Sequence, residues 1–73
     1  MPGTEHYRRL LGEAIRTKRR KRRLSQERLA EKADLSTVFI SRVERGKESP
    51  SLDSLVKIAR AVGVRARDLV RDV

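Results

Sequence analysis

Cysteine and tryptophan are absent from this sequence of 73 residues, which has one phenylalanine, one tyrosine and one histidine. Without cysteine there is no disulfide framework and no thiolate metal site. So few aromatic rings leave no platform on which single-strand nucleic-acid binders stack bases. The sequence has no glycine-rich phosphate loop, nucleophile–base pair or metal-ligand spacing, and its histidine, His6, lies near the N-terminus. We therefore predict that the protein is not an enzyme, and that it has no catalytic residues, no metal site, no cofactor and no small-molecule ligand.

Long apolar runs and strand patterns are absent too. No segment approaches the roughly 20 apolar residues of a membrane span, and the polar N-terminus is unlike a signal peptide. We therefore expect a cytoplasmic protein that does not cross a membrane. No segment alternates apolar and polar residues with the period of a strand, so we predict an all-α fold. A chain of this length buries only about 60% of the surface of its unfolded state on folding, so its core is marginal. We therefore expect self-association to add stability.

Positive charge is abundant, since 19 lysines and arginines stand against 10 acidic residues and give a net charge of +9. This imbalance favours a polyanionic partner, with nucleic acid as the first candidate and an anionic membrane surface as the alternative. Seven of the eight residues from Arg16 to Arg23 are basic. Cations stabilise a helix C-terminus by about 0.3–1 kcal/mol each, so solvation at a helix end explains some of them. We expect several others to contact phosphate, although composition alone would also fit a nuclear localisation signal.

The organisation of the chain follows from its caps and its apolar spacing. Residues 1–6 have no periodicity, so we predict a flexible tail there and one domain over residues 7–73. A first helix should run from about Tyr7 to Arg22. A fourth helix should lie between its cap Ser51 and Gly63, and a short fifth helix should cover about Ala66 to Asp72.

The stretch from Leu24 to Gly46 predicts two short helices joined by a tight turn, at about residues 25–45. Ser25 and Ser36 suit the N-caps, because a serine oxygen accepts from the free amides of a first helical turn. Gly46 suits the end of the second helix, since glycine takes the left-handed conformation at the lowest cost. The apolar residues fall on facing sides of the two helices and are Leu29, Ala30, Ala33, Ile40 and Val43. A short helix held on a partner helix in a very basic chain suits the DNA major groove.

The outer face of the second short helix carries our candidates for reading bases, which are Thr37, Val38, Ser41 and Arg42. Thr37 offers a hydroxyl or a methyl group to thymine, and Val38 offers apolar contact only. Arg42 can donate two hydrogen bonds to guanine O6 and N7, worth about 1–3 kcal/mol of discrimination. Ser41 is small enough for a close approach, or can donate to a phosphate. The alternative for Thr37 and Val38 is an ordinary solvent-exposed helix surface.

Phosphate contacts are expected from the flanks of this unit. Gln26 lies in the first turn of the first short helix, where free amides and the helix dipole attract an anion. Arg45, Lys47 and Ser49 follow the second helix, on a loop that would run along the DNA backbone. Such contacts fix the register of a protein on the duplex but carry no sequence information.

Two charged residues, Arg19 and Glu44, fall on the sides of their helices that are predicted to face the core. Arg19 continues the apolar side of the first helix, and Glu44 lies beside Val43 on the inner side of the second short helix. Each charge would be costly there alone, so we predict a buried or half-buried ion pair between them. The alternative is that both side chains reach outwards. Removing one partner of a buried pair typically costs about 3–5 kcal/mol.

Several segments together are similar to a known family, and they are Leu24–Ala30, Leu35–Ser36, Ile40–Gly46, Pro50–Leu52 and Ile58–Val64. They resemble the Cro/lambda-repressor helix-turn-helix family, also called XRE, over about Leu11 to Val70. The resemblance implies a five-helix, lambda-repressor-like DNA-binding domain that binds a pseudo-palindromic operator as a homodimer.

The resemblance also implies roles for particular residues. Thr37, Val38 and Arg42 fall on the family's base-reading positions, and Arg19 and Glu44 fall on its interhelical ion pair. The positions that contact phosphate in the family correspond to Ser25, Gln26, Arg45, Lys47 and Ser49.

The chain departs from the family pattern at two points. The turn often carries glycine where this chain has Asp34, which tolerates a left-handed conformation. Glutamine, frequent at the base-reading positions, is missing, so no known operator can be transferred to this chain. The sequence stops at Val73 without an effector or protease domain, and in this it resembles stand-alone regulators such as the controller proteins of restriction–modification systems.

Together these observations predict a cytoplasmic, nucleoid-associated transcriptional regulator, such as a repressor, that binds double-stranded DNA as a homodimer. Leu69, Val70 and Val73 are the candidate dimer contacts, with Ala61 or Val64 beside them. The alternative is that these residues close the core of the subunit. The alternative functions are an antitoxin whose main partner is a toxin protein, and a non-specific nucleic-acid coating protein.

Overall fold

The computed structural model describes residues 3–71 and 73 and contains five α-helices. In chain order they are α1 (Glu5–Lys21), α2 (Gln26–Ala33), α3 (Thr37–Glu44), α4 (Leu52–Ala61) and α5 (Ala66–Val70). No strand occurs among the residues described, and the prediction of an all-α, five-helix fold is confirmed. Met1 and Pro2 of the predicted tail, and Asp72 at the predicted end of the last helix, lie outside the described residues.

The first helix begins two residues before the predicted Tyr7, so Glu5 and His6 of the predicted tail are helical. Two hydrogen bonds support this earlier start. The backbone N–H of Arg8 donates to the carbonyl oxygen of Thr4 at 3.0 Å, and the Arg8 guanidinium donates to the Thr4 hydroxyl at 2.7 Å. The carboxylate of Glu5 in the first turn also suits the positive end of the helix dipole.

The same helix ends at Lys21, and the chain reverses at Arg23, which has a left-handed φ of 56°. The backbone N–H of Leu24 donates to the carbonyl oxygen of Arg19 at 3.2 Å, which satisfies one of the last carbonyl groups of α1. Glycine is the usual residue for this conformation. Arg23 therefore keeps a positive charge at a backbone position that favours glycine.

The predicted caps of the next helices are present. The hydroxyl oxygens of Ser25, Ser36 and Ser51 each accept from the backbone N–H three residues later, at 3.0, 3.0 and 3.1 Å. Asp34, between α2 and α3, takes the left-handed conformation with φ 57°, and Gly46 after α3 has φ 74°. The turn at Asp34 sets α2 and α3 against each other as a helix-turn-helix.

All five helices contribute to one hydrophobic core. The largest side chains that are less than 2% exposed are Ile15, Leu29, Ile40, Ile58, Leu69, Val43 and Val62. The first helix packs on α3 and α5, and α2 packs on α3 and α4. Within the described part of the chain, no helix combines the length and apolar character needed to cross a membrane.

At Gly12, α1 lies close against the backbone at the end of α3. A Cβ atom at this position would lie 2.5 Å from the backbone carbonyl oxygens of both Val43 and Glu44. Those atoms are backbone, so they cannot move aside as a flexible side chain would. The absence of a side chain at Gly12 therefore sets the distance between α1 and the helix whose outer face carries the candidate base-reading residues.

Replacing Gly12 by alanine should destabilise the fold by about 1–3 kcal/mol, the usual cost of overpacking a close contact. Helix propensity alone predicts the opposite sign, because alanine is favoured over glycine by about 1 kcal/mol within a helix. Urea denaturation followed by circular dichroism measures the difference. Thr17→Ala, at an exposed position of α1, is the control and should change the stability little. A Gly12→Ala variant more stable than the parent protein would contradict the close approach.

Candidate nucleic-acid interface

The outer face of α3 carries all four predicted base-reading residues. Thr37, Val38 and Arg42 are exposed and Ser41 is half-buried, whereas Ile40 on the opposite side is fully buried. Val38 is 70% exposed, an unusual environment for a valine on a helix this well packed. The structure thus brings the four residues together on one accessible strip that begins at the N-terminus of the helix.

Arg42 has partners that the sequence did not predict. Its Nε donates to Glu48 Oε1 at 3.2 Å, and its Nη2 donates to the backbone carbonyl oxygen of Lys47 at 3.2 Å. The side chains of Arg42 and Glu48 remain 46% and 41% exposed. Both partners lie on the loop that follows Gly46, so the loop holds the guanidinium against the last turn of α3.

The N-terminus of α2 holds two of the predicted phosphate contacts. The hydroxyl oxygen of Ser25 accepts from the N–H of Arg28, which leaves the hydroxyl hydrogen available. The side-chain amide of Gln26 donates to Glu44 Oε1 at 3.0 Å. The Gln26 side chain is therefore directed at α3, a contact that sequence analysis missed because Glu44 was assigned to Arg19 alone.

The loop after α3 exposes Arg45, Lys47 and Ser49, the other predicted phosphate contacts. Gly46 between them is buried against α1, where a Cβ atom would lie 2.7 Å from Arg9 Cγ. Together with the start of α1 this loop forms an open cleft lined by Glu5, Arg8, Arg9, Arg45, Gly46 and Lys47. Arg8 and Arg9 thus add two cations to this end of the molecule. These two residues were not predicted from the sequence, because their proximity to the loop depends on how α1 packs on α3.

The predicted ion pair between Arg19 and Glu44 is present and buried. Arg19 Nε donates to Glu44 Oε2 at 2.6 Å and Arg19 Nη2 donates to Oε1 at 3.0 Å, so the pair is bidentate. Arg19 is 9% exposed and Glu44 is 3% exposed. Arg19 Nη1 donates further to the carbonyl oxygen of Leu24 at 2.8 Å, and Arg16 Nε lies 3.6 Å from Glu44 Oε1. The last residue of α3 is thereby joined to α1 and, through Arg19, to the segment between α1 and α2, while Gln26 joins it to α2.

The environment of Glu44 keeps its side chain charged. Burial alone would raise the pKa of this carboxyl, but hydrogen bonds from Arg19 and Gln26 and the positive charges of Arg19 and Arg16 outweigh it. The pKa of Glu44 is therefore held below its ordinary value of 4.5. The carboxylate is ionised at neutral pH, as the bidentate contact with a guanidinium requires.

The basic run from Arg16 to Arg23 divides into two groups. Arg16 and Arg19 are directed at Glu44, and Arg22 Nη2 donates to the carbonyl oxygen of Gly63 at 3.3 Å. Arg20, Lys21 and Arg23 are exposed and make no such contact across the fold with the residues that the structure describes, and Lys18 is half-buried. Part of the run therefore holds the fold together, which sequence analysis predicted only for Arg19.

The residues predicted to form a dimer interface differ in how deeply the structure buries them. Leu69 is 1% exposed and fills the core of its own subunit, so its assignment to a dimer interface was wrong. The alternative, that it closes the core, holds for this residue. Val70 and Val73 are 41% and 40% exposed and stay available for contact with another chain.

The geometry of α2 and α3, with a serine-capped helix exposing Thr37, Val38 and Arg42, defines a helix-turn-helix DNA-binding protein. The model of the helix-turn-helix family HTH_3 matches residues 15–69. The chain belongs to this family, and the predicted XRE-type relationship is confirmed.

Proteins of known role are similar to this chain over most of its length. The control protein C.BamHI of Bacillus amyloliquefaciens is 43% identical over 68 residues, which are 92% of this chain and 84% of that protein. The restriction-modification controller protein C.AhdI of Aeromonas hydrophila superposes with a TM-score of 0.83 at 34% identity, over 85% of this chain and 94% of that one. The immunity repressor protein of Bacillus phage phi105 is 38% identical over 60 residues, 82% of this chain and 42% of the repressor.

These findings make the chain a transcriptional regulator with a helix-turn-helix DNA-binding domain, which binds double-stranded DNA. Such regulators are a non-enzymatic class, and the prediction that the chain is not an enzyme is confirmed by that membership.

Proposed function

We propose that the chain is a controller-type regulator that binds a pseudo-palindromic operator as a homodimer, with α3 in the major groove. The observation that carries this proposal is the outer face of α3, where Thr37, Val38 and Arg42 are exposed while Glu44 anchors the helix from behind. A helix fixed in this way presents its side chains in a set arrangement, which direct reading of base edges requires. Relatives named as control or controller proteins support the same role.

Each exposed side chain of α3 offers a different chemical group to the base pairs in the groove. Arg42 supplies two N–H groups to guanine O6 and N7, and Thr37 supplies a hydroxyl or a methyl group. Val38 makes apolar contact with a thymine methyl group. Ser41, half-buried beside them, allows the groove wall to approach closely.

Phosphate contacts flank this face on both sides. We assign them to Ser25 and the first turn of α2 on one side, and to Arg45, Lys47 and Ser49 on the other. The exposed end of the basic run, at Arg23, lies two residues before Ser25 in the chain and adds charge there. A protein with this partner belongs in the cytoplasm, at the nucleoid.

The dimer is proposed from the size of the core and from the exposed apolar residues at the C-terminal end. Val70 and Val73 are our candidate contacts with the second subunit. Two copies of α3 would then enter successive major grooves about 34 Å apart. An operator of two inverted half-sites follows from this two-fold symmetry.

Selecting bound duplexes from a random pool tests this function most directly. The parent protein should enrich inverted half-sites whose centres are one helical turn apart. Arg42→Ala should relax base preference at one position in each half-site, at a cost of about 1–3 kcal/mol for the preferred base.

Lys47→Ala is the matched control in the same experiment. It also removes one exposed cation, but it should weaken all sequences about equally and leave the selected sequence unchanged. Enrichment of no sequence, or equal affinity for scrambled duplexes, would contradict the proposed function and favour a non-specific coating protein.

A further inference from the structure

We propose that Glu48 is a positioning residue that aims the Arg42 guanidinium at its base and thereby raises the selectivity of α3 for guanine. This inference rests on the proposed function, because it assumes that Arg42 reads a base. It adds Glu48, a carboxylate on the loop after α3, to the residues that determine sequence preference, which otherwise lie on α3 itself.

The hydrogen bonds of Arg42 use one edge of the guanidinium only. Nε and Nη2 form the side edge of an arginine fork, and they donate to Glu48 Oε1 and to the Lys47 carbonyl oxygen, both at 3.2 Å. A guanidinium has five N–H donors, so the donors on Nη1 and the second hydrogen of Nη2 remain. These form the end edge of the fork, and two such donors match the O6 and N7 acceptors of guanine.

The loop that carries Glu48 is itself fixed to Arg42. The backbone N–H of Lys47 donates to the carbonyl oxygen of Arg42 at 2.8 Å, while the Arg42 side chain donates back to the Lys47 carbonyl oxygen. Gly46, in the left-handed conformation, makes this reversal of the chain possible. The carboxylate is thus held next to the guanidinium by the backbone of the loop.

The charge of Glu48 argues for a role in selectivity rather than in affinity. A carboxylate beside Arg45 and Lys47 opposes attraction to a phosphate backbone, so it lowers binding to any duplex. It also neutralises Arg42, which reduces the ability of that arginine to contact phosphates at random. The two hydrogen bonds from the end edge to guanine are still available, so binding to the correct base is retained while competing binding is weakened.

Two variants separate the positioning from the charge. Glu48→Ala removes the acceptor and the charge, whereas Glu48→Gln keeps an oxygen acceptor at the same reach and removes the charge alone. Affinities are measured by fluorescence anisotropy at one salt concentration, on the selected operator, on the operator with the Arg42-dependent base pair exchanged, and on a scrambled duplex. Both variants should bind the scrambled duplex more tightly than the parent protein does.

Glu48→Ala should reduce the preference for the correct base pair about threefold or more, the scale expected when contacting side chains are coupled. Glu48→Gln should retain more of that preference. In the Arg42→Ala background, Glu48→Ala should cause no further loss at this base pair. Glu13→Ala, which removes an exposed carboxylate from α1, is the control for charge and should leave base preference unchanged.

The outcomes distinguish this inference from the proposed function. If Arg42→Ala abolishes the base preference but Glu48→Ala leaves it intact, the positioning role is overturned and the proposed function stands. If Arg42→Ala leaves the preference intact, Arg42 does not read that base, and both the assignment and the inference fail.

Discussion

Glu44→Ala should lower the free energy of unfolding by about 3–5 kcal/mol, the usual effect of removing one partner from a buried ion pair. The substitution leaves the Arg19 guanidinium, 9% exposed, without the carboxylate that accepts from its Nε and Nη2. The Gln26 amide and the Arg16 guanidinium lose their acceptor as well. Because a domain of this size has a free energy of unfolding of only about 5–15 kcal/mol, the loss is a large share of the total.

Urea denaturation followed by the helical circular dichroism signal measures this loss. Glu31→Ala is the matched control, because it removes a carboxylate from the exposed Arg28–Glu31 pair, whose side chains are 62% and 69% exposed. Exposed pairs of this kind contribute about 0–1 kcal/mol. Equal effects of the two substitutions would contradict the buried character of the Arg19–Glu44 pair.

The loss of stability at acidic pH gives a second measurement of the contribution of the Arg19–Glu44 pair. The pKa of Glu44 is lower in the folded chain than its ordinary value of 4.5. Its contribution to stability is therefore fully present above that value and is lost as the pH falls through the lowered pKa of the folded state. Glu44→Gln, which removes the titrating group, should be less stable at neutral pH and should lose less stability on acidification.

The affinity for the operator should fall about 10³–10⁵-fold between 50 and 200 mM salt, as expected if a dimer neutralises about 6–10 phosphates. Each phosphate contact releases condensed counterions from the duplex, and added salt opposes that release. The 19 lysines and arginines of each chain, which give it a net charge of +9, supply the cations for such contacts. Anisotropy titrations over a salt series, with the slope of log affinity against log salt, measure the number of contacts.

Individual variants test which cations contribute to that slope. Arg45→Ala and Lys47→Ala should each reduce its magnitude by about one per subunit. Ser49→Ala removes an uncharged contact from the same loop and should weaken binding without changing the slope. A flat salt response in the parent protein would contradict a binding mode dominated by phosphate contacts.

The parts of the fold that depend on local chemistry were predictable from the sequence. The serine caps at Ser25, Ser36 and Ser51, and the glycine at Gly46, mark helix ends through hydrogen bonds and dihedral angles between neighbours in the chain. The reversal at Arg23 gave no such signal, because arginine is uncommon in the left-handed conformation it adopts there.

Leu69 shows where an apolar pattern is insufficient. A short C-terminal helix with three apolar residues near its end is compatible with burial in its own subunit or against a second one. Only the packing of α5 on α1 and α4 decides that Leu69 is inside while Val70 stays exposed.

The face of α3 was predictable from the positions of its buried residues, but the contacts of its side chains were not. Glu48 reaches Arg42 because the backbone turns at Gly46, and a spacing of six residues predicts no contact by itself. The contact of Gln26 with Glu44 likewise depends on the angle between α2 and α3.

The two sides of α3 differ sharply in how much substitution they tolerate. Ile40, Val43 and Glu44 face inwards, where changes cost several kcal/mol, whereas Thr37 and Val38 face outwards, where most substitutions change stability by less than about 0.5 kcal/mol. Under the proposed function, new operator preferences can therefore arise by exchanging outward residues without endangering the fold. A helix built in this way is suited to diversify its target sequences while its scaffold is inherited unchanged.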